Sequence, residues 1–103
     1  MDYRVIVSSD TEEDLDRFLR YLVYEKKNLQ AARNLNDDYE ETITKLETMA
    51  GSIRKEDDPD LAIYGYRRIH LSKHRYFLLF RIDNGDVIVD RMFHNLQDYK
   101  NRQ

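Results

Sequence analysis

The chain has no cysteine, one proline and only three glycines among its 103 residues. Without cysteine there are no disulfides, no thiol nucleophile and no thiolate metal site, and a cytoplasmic location is the default expectation. Long apolar runs are also missing. The longest uncharged one is Tyr76–Phe80, far short of the about 18 residues a membrane span needs, so no membrane contact is expected. The opening Met1-Asp2-Tyr3-Arg4 lacks a basic region followed by an apolar segment, so no signal peptide is expected. No Gly-rich phosphate loop and no Ser-His-Asp arrangement can be placed. What is present is 41% hydrophobic, 12% aromatic and 36% charged. That is enough apolar material for one core and too much for a chain that stays solvated, so residues 1–103 are expected to form one domain.

The net charge is −3, which by itself speaks weakly against a nucleic-acid binder, but the charge is segregated. Residues 1–63 carry 9 Lys/Arg against 16 Asp/Glu, whereas residues 64–103 carry 8 against 4 and hold all 3 histidines. An acidic half and a basic half suggest two surfaces with different partners.

Tyr3, Val5 and Val7 alternate as in a short strand. Ser9 or Asp10 can cap a following helix, with Glu12 or Glu13 completing a capping box. Leu15, Phe18, Leu19, Leu22 and Val23 fall at helical spacing, which predicts a helix over residues 10–26. A second helical pattern runs from Leu29 through Ala32, Leu35, Tyr39, Ile43 and Leu46 to Met49, with Gly51 as its C-terminal cap. The short polar break between them makes an antiparallel helix hairpin. A long connection, GSIRKEDDPDLAI, leads to three β segments, Tyr64–Leu71, His74–Ile82 and Asp86–Phe93. The expected fold is α+β, in the order β-α-α-β-β-β, with the helix hairpin packed on one face of an antiparallel sheet.

Asn84-Gly85 favours a type I′ turn, which sets a hairpin register for the last two strands. Ile82 should face Val87, Phe80 Val89 and Tyr76 Phe93 on an apolar face under the helices. Arg81 with Ile88, Leu79 with Asp90, Phe77 with Met92 and Arg75 with His94 should form the opposite face. If the turn after Leu71 is tight with an even residue count, His70 pairs with Arg75 and Arg68 with Phe77. An odd count would swap the faces of the earlier strand. Arg91 breaks the pattern by falling among the apolar positions, and either reaching the sheet edge or pairing with a helix acid would accommodate it. Under the even register, Arg68, His70, Arg75, Arg81 and His94 share the open face with Tyr66, Phe77 and Met92. Such a surface suits polyanions: Arg contacts phosphates, aromatic rings stack on bases, and His transfers protons near neutral pH.

The element order, the opening YRVIVS and DTEEDLDRF, and the block YRRIHLSKHRYFLLFRIDNGDVIVDRMFHNLQDY together resemble the RelE/ParE superfamily of bacterial toxins from type II toxin–antitoxin (plasmid stabilisation) systems. The resemblance implies a toxin held silent by a cognate antitoxin that wraps over it. It implies metal-independent mRNA cleavage at the ribosome for RelE-like members and poisoning of DNA gyrase for ParE-like ones. Arg68 matches an arginine used near the scissile phosphate in many ribonuclease members. His94 resembles the C-terminal histidine of the YafQ-like and HigB-like branches, and Tyr99 is a looser match to the C-terminal tyrosine of RelE.

The expected activity is therefore ribosome-dependent mRNA cleavage, with gyrase inhibition as the alternative. His94, Arg68, Arg75 and Tyr99 are the candidate catalytic residues. His70, Lys73, Arg81 and Phe77 are the candidate nucleic-acid contacts. Cleavage by the RNA's own 2′-hydroxyl would need a base, an acid and cationic stabilisation of the phosphate. The plainer account of His94 is that it ends a strand and hydrogen-bonds the following turn. No cofactor is expected, and His70, His74 and His94 lack a carboxylate at ligand spacing for a metal. Three departures from the RelE-type catalytic set leave room for the gyrase branch. Phe77 and Gln97 stand where RelE has arginines, and the stretch GSIRKEDDPD replaces a lysine-rich loop.

Overall fold

The computed structural model describes residues 2–73 and 75–96. Strand β1 (Arg4–Val7) leads into helix α1 (Ser9–Arg20), which a π-helical turn extends to Glu25. Helix α2 (Leu29–Met49) returns alongside it, and a short helix α3 (Pro59–Ala62) interrupts the long connection. Strands β2 (Arg67–His70), β3 (Tyr76–Asp83) and β4 (Asp86–His94) complete a sheet of order β1-β4-β3-β2. The α+β architecture and helix hairpin are those expected. The sheet, however, is mixed: β1 runs parallel to β4, pairing Val5 with Val87 and Val7 with Val89. A parallel ladder needs a long crossover, and both helices lie in the chain between these two strands.

Local chemistry accounts for the element ends. Ser8, one residue earlier than expected, caps α1 by accepting from the Thr11 amide at 3.0 Å. Asn28 caps α2 by accepting from the Ala31 amide. Lys27, at φ +51°, makes the left-handed step between the helices. Gly51 is not the left-handed cap the pattern suggested; it lies in a 3₁₀ turn over Ala50–Ser52. There a Cβ would overlap the Tyr3 hydroxyl, so the glycine makes room for a ring from β1.

Strand β2 is shorter than expected. Tyr64 and Gly65 belong to the turn closing α3, where Gly65 takes φ +79°. Its register pairs Arg68 with Leu79 and His70 with Phe77, two residues from the expected pairing. The parity is unchanged, so the expected faces of β2 hold.

The β3–β4 turn is as expected, with Asn84 at φ +51° and Gly85 at φ +85°. The register from Asp83–Asp86 to Phe80–Val89 also agrees. Beyond that the ladder shifts by one residue: Leu79 pairs with Arg91, Leu78 with Met92, Phe77 with Phe93 and Tyr76 with His94. Asp90 is the extra residue of a β-bulge. The expected pairs Leu79–Asp90, Phe77–Met92, Arg75–His94 and Tyr76–Phe93 are therefore corrected. Met92 and His94 turn toward the helices, and Arg91 and Phe93 turn outward.

The start of α1 holds that bulge in place. The Ser8 amide and the Thr11 hydroxyl both donate to the Val89 carbonyl, at 3.0 and 3.1 Å, and the Ser8 hydroxyl donates to the Asp90 carbonyl at 2.9 Å. One turn on, buried Asp14 accepts from the Met92 amide at 2.9 Å and from Arg91 at 2.8 and 3.0 Å. Polar groups freed where the ladder is interrupted thus find partners on the helix, as buried backbone must.

The main core lies between the helices and the inner sheet face. It joins Leu35 and Leu46 of α2 to Leu78, Phe80, Val87 and Val89, all at 0% exposure. At about 1.5–3 kcal/mol for each fully buried side chain, this layer dominates stability. A smaller cluster of Phe77, Leu79 and Phe93, flanked by Tyr66, lies on the outer face.

Candidate functional site: the outer face of the sheet

The alternation of β2 and β3 places Tyr66, Arg68, His70, Phe77, Leu79 and Arg81 on the face away from the helices, as expected for these positions. Arg68 lies over Phe77, its guanidinium carbon 4.0 Å from the ring centroid. The His70 ring is tilted against the same phenyl at 5.5 Å. Arg68 and His70 also line an open cleft of about 370 Å³ with Ile53, Arg54, Lys55, Glu56 and Asp57. Burial lowers the His70 pKa below the ordinary 6.5 and the Arg68 charge lowers it further, with Glu56 opposing both, so the ring favours its neutral form at neutral pH.

Three of the arginines on this face are tied to carboxylates. Arg68 donates through Nε to Glu56 at 2.7 Å, from the connection before β2. Arg81 donates to Asp90 at 3.1 Å, beside the Tyr66 hydroxyl. Arg91 pairs with Asp14 of α1 at 2.8 Å, the helix acid of the two accommodations open for it. Burial works to raise the Asp14 pKa, but the hydrogen bonds from Arg91, the Met92 amide and Arg17 outweigh it and hold the carboxyl below its ordinary 3.8. Glu56, Asp90 and Asp14 were not among the candidate site residues read from the sequence. The one available signal was Arg91 at an otherwise apolar position, which marks the slip in register.

Of the remaining candidates, His94 and Lys73 do not join this face. His94 lies opposite Tyr76 on the helix side, with ring centroids 5.0 Å apart and planes at 87°. Its Nδ1 accepts from the Leu96 amide at 3.1 Å, the strand-ending role of the plainer account. It lines a groove of about 490 Å³ with Arg17, Phe18, Tyr21, Tyr76 and Leu96. Arg75 is exposed, its carbonyl accepts from the Asn95 amide, and it enters no ion pair among the described residues. Lys73 sits in the β2–β3 turn, which buried Asp38 of α2 holds through the Ser72 and Lys73 amides and the Ser72 hydroxyl. Its surroundings there are Asn34, Asp37, Asp38 and Glu41, an acidic setting away from the Arg68 platform. Tyr99, Gln97 and His74 lie outside the described residues.

Among the described residues, the two histidines therefore stand on opposite faces of the sheet. The outer face offers a flat aromatic platform edged by guanidinium groups that already have anions beside them. That arrangement can dock a surface; among the described residues it does not place an acid and a base about one reacting phosphate. No group of three or more His, Cys, Asp or Glu side chains among the described residues could hold a metal ion, and no described helix is long and apolar enough to cross a membrane.

Residues 5–99 match the family model described as ParE toxin of type II toxin-antitoxin system, parDE. Among solved structures, the chain is similar to one titled "Chromosomal ParDE TA system from P. aeruginosa". The superposition has a TM-score of 0.71 at 18% identity and covers 89% of this chain and 95% of that one, a likeness of fold. No curated protein matches.

Proposed function

The chain belongs to the ParE toxin family of type II toxin–antitoxin systems, and from that premise we propose that it is a non-catalytic inhibitor of DNA gyrase. In this reading it acts in the cytoplasm and is kept silent by its cognate antitoxin. The observation that carries the reading is the bulge at Asp90, which turns His94 to the helix side and away from Arg68 and His70. Cleavage through the RNA 2′-hydroxyl needs proton-transfer groups and phosphate-binding cations around one point. Here three cations of the outer face, Arg68, Arg81 and Arg91, lie beside Glu56, Asp90 and Asp14. An aromatic surface with tethered arginines is better suited to engaging a protein, where Tyr, Phe and Arg carry much of the binding.

Purified chain added to DNA gyrase should block supercoiling of relaxed plasmid, and expression without antitoxin should induce a DNA-damage response. His94→Gln should keep both effects within about twofold, since His94 is assigned to the strand end. Absence of gyrase inhibition together with RNA fragments mapped inside translated codons would overturn the reading in favour of ribosome-dependent mRNA cleavage.

A further inference from the structure

The groove of about 490 Å³ that His94 lines on the helix side of the sheet is walled by rings. Buried Tyr76 meets Phe18 with centroids 4.9 Å apart and planes at 63°, and meets His94 at 5.0 Å and 87°. Rings crossed in this way offer both faces and edges to a planar aromatic guest. Beside them Tyr21 and Leu96 stay 49% and 81% exposed, so two large apolar side chains are left uncovered at one place. The helix is irregular here as well. At Tyr21 the α-helix gives way to the π turn, in which the Lys26 amide donates to the Tyr21 carbonyl at 3.0 Å. Such turns are rare and gather at functional sites.

Among the described residues no carboxylate lines this groove, and its permanently charged member is Arg17. Arg17 donates through Nη2 to Asp14 at 2.7 Å, yet its side chain remains 56% exposed. Asp14 already accepts two bonds from Arg91, so one buried carboxylate serves two guanidinium groups. On the outer face, by contrast, Arg68 and Arg81 each have an acid of their own. Arg17 therefore keeps exposed donor surface and charge to offer an anion. From this geometry we infer that the groove is a binding site for a small planar aromatic carboxylate of one or two fused rings. The ring would lie among Phe18, Tyr21 and Tyr76, and the carboxylate would meet Arg17. A mostly apolar concavity with one placed cation is the usual makeup of a small-molecule site. One guanidinium matches one carboxylate, whereas a phosphate group carrying about −1.5 to −2 would call for more cations than line this groove. The inference stands apart from the gyrase reading, since no residue of the outer platform takes part.

Isothermal titration calorimetry of the full chain tests this, with indoleacetate as the probe and the uncharged indoleacetamide and AMP as comparisons. The wild type should bind indoleacetate, and should bind indoleacetamide about fivefold more weakly for want of one charge-assisted pair at a half-exposed site. Arg17→Gln should bind the two indoles alike. Tyr21→Ala should weaken both by about threefold while keeping the preference for the acid. Arg33→Gln, at an exposed position of α2 outside the groove, should behave as the wild type. Thermal melting checks that each variant folds, and Tyr21→Ala, at a half-exposed position, carries the test should Arg17→Gln prove unstable. No heat of binding up to about 5 mM indoleacetate would overturn the assignment. So would binding left unchanged by both Arg17→Gln and Tyr21→Ala. Tighter binding of AMP than of indoleacetate would overturn the carboxylate class in favour of a nucleotide.

Discussion

Asp14 is a buried carboxylate that earns its place through four hydrogen bonds, to Arg91 twice, to the Met92 amide and to Arg17. Its native pKa lies below 3.8, because those bonds favour the charged form by more than burial disfavours it. A carboxyl depressed in the folded state releases its proton more readily there than in the unfolded chain. Its contribution is fully present above the unfolded value near 3.8 and is lost as pH falls through the lower native value. Urea unfolding followed from pH 7 to pH 2 should show that acid loss in the wild type. Asp14→Asn should be less stable at pH 7 by about 2–3 kcal/mol and flatter below pH 4. Parallel acid limbs for the two proteins would show that another carboxylate governs the titration.

At the level of elements, much of the fold was legible because its signals are local. Helical spacing located α1 and α2, and Asn84-Gly85 located the β3–β4 turn with both residues at positive φ. Local pattern could not locate the bulge, which depends on hydrogen bonds from Ser8 and Thr11 to carbonyls about eighty positions later in the chain. The same limit explains the site. Arg68, His70, Phe77 and Arg81 were placed together correctly by strand alternation, while His94 was placed wrongly because it lies beyond the slip. The parallel β1–β4 ladder was likewise a matter of long-range packing, as was the fit of Tyr3 against Gly51. Met92 distinguishes the two registers. An unbroken hairpin puts it on the outer face, whereas the bulged one buries it in the main core at 1% exposure. Met92→Lys should therefore cost about 3–5 kcal/mol or abolish folding, and Met92→Leu less than about 1.5 kcal/mol, in urea or thermal denaturation. A stable Met92→Lys protein would restore the unbroken register.

Taken over the whole molecule, the segregation of charge read from the sequence overstates how much positive field the basic half presents. Glu56 comes from the connection, Asp14 from α1 and Asp90 from the bulge, so two of the acids facing the outer arginines are brought from the acidic half of the chain by folding. An arginine beside a carboxylate has less to gain from a phosphate, because the counterion released on binding is replaced by an internal one that stays. The wild type should therefore bind a fluorescent oligouridine weakly, with dissociation constants that change little between 50 and 200 mM salt. Glu56→Gln/Asp90→Asn leaves the neighbouring hydrogen-bonding shapes in place while freeing Arg68 and Arg81 from their anions. Measured by anisotropy, that variant should bind more tightly, and its log–log salt slope should steepen by about 1.4, the increment for two added phosphate contacts on a single strand. Identical slopes would mean that these carboxylates do not withhold the arginines from nucleic acid.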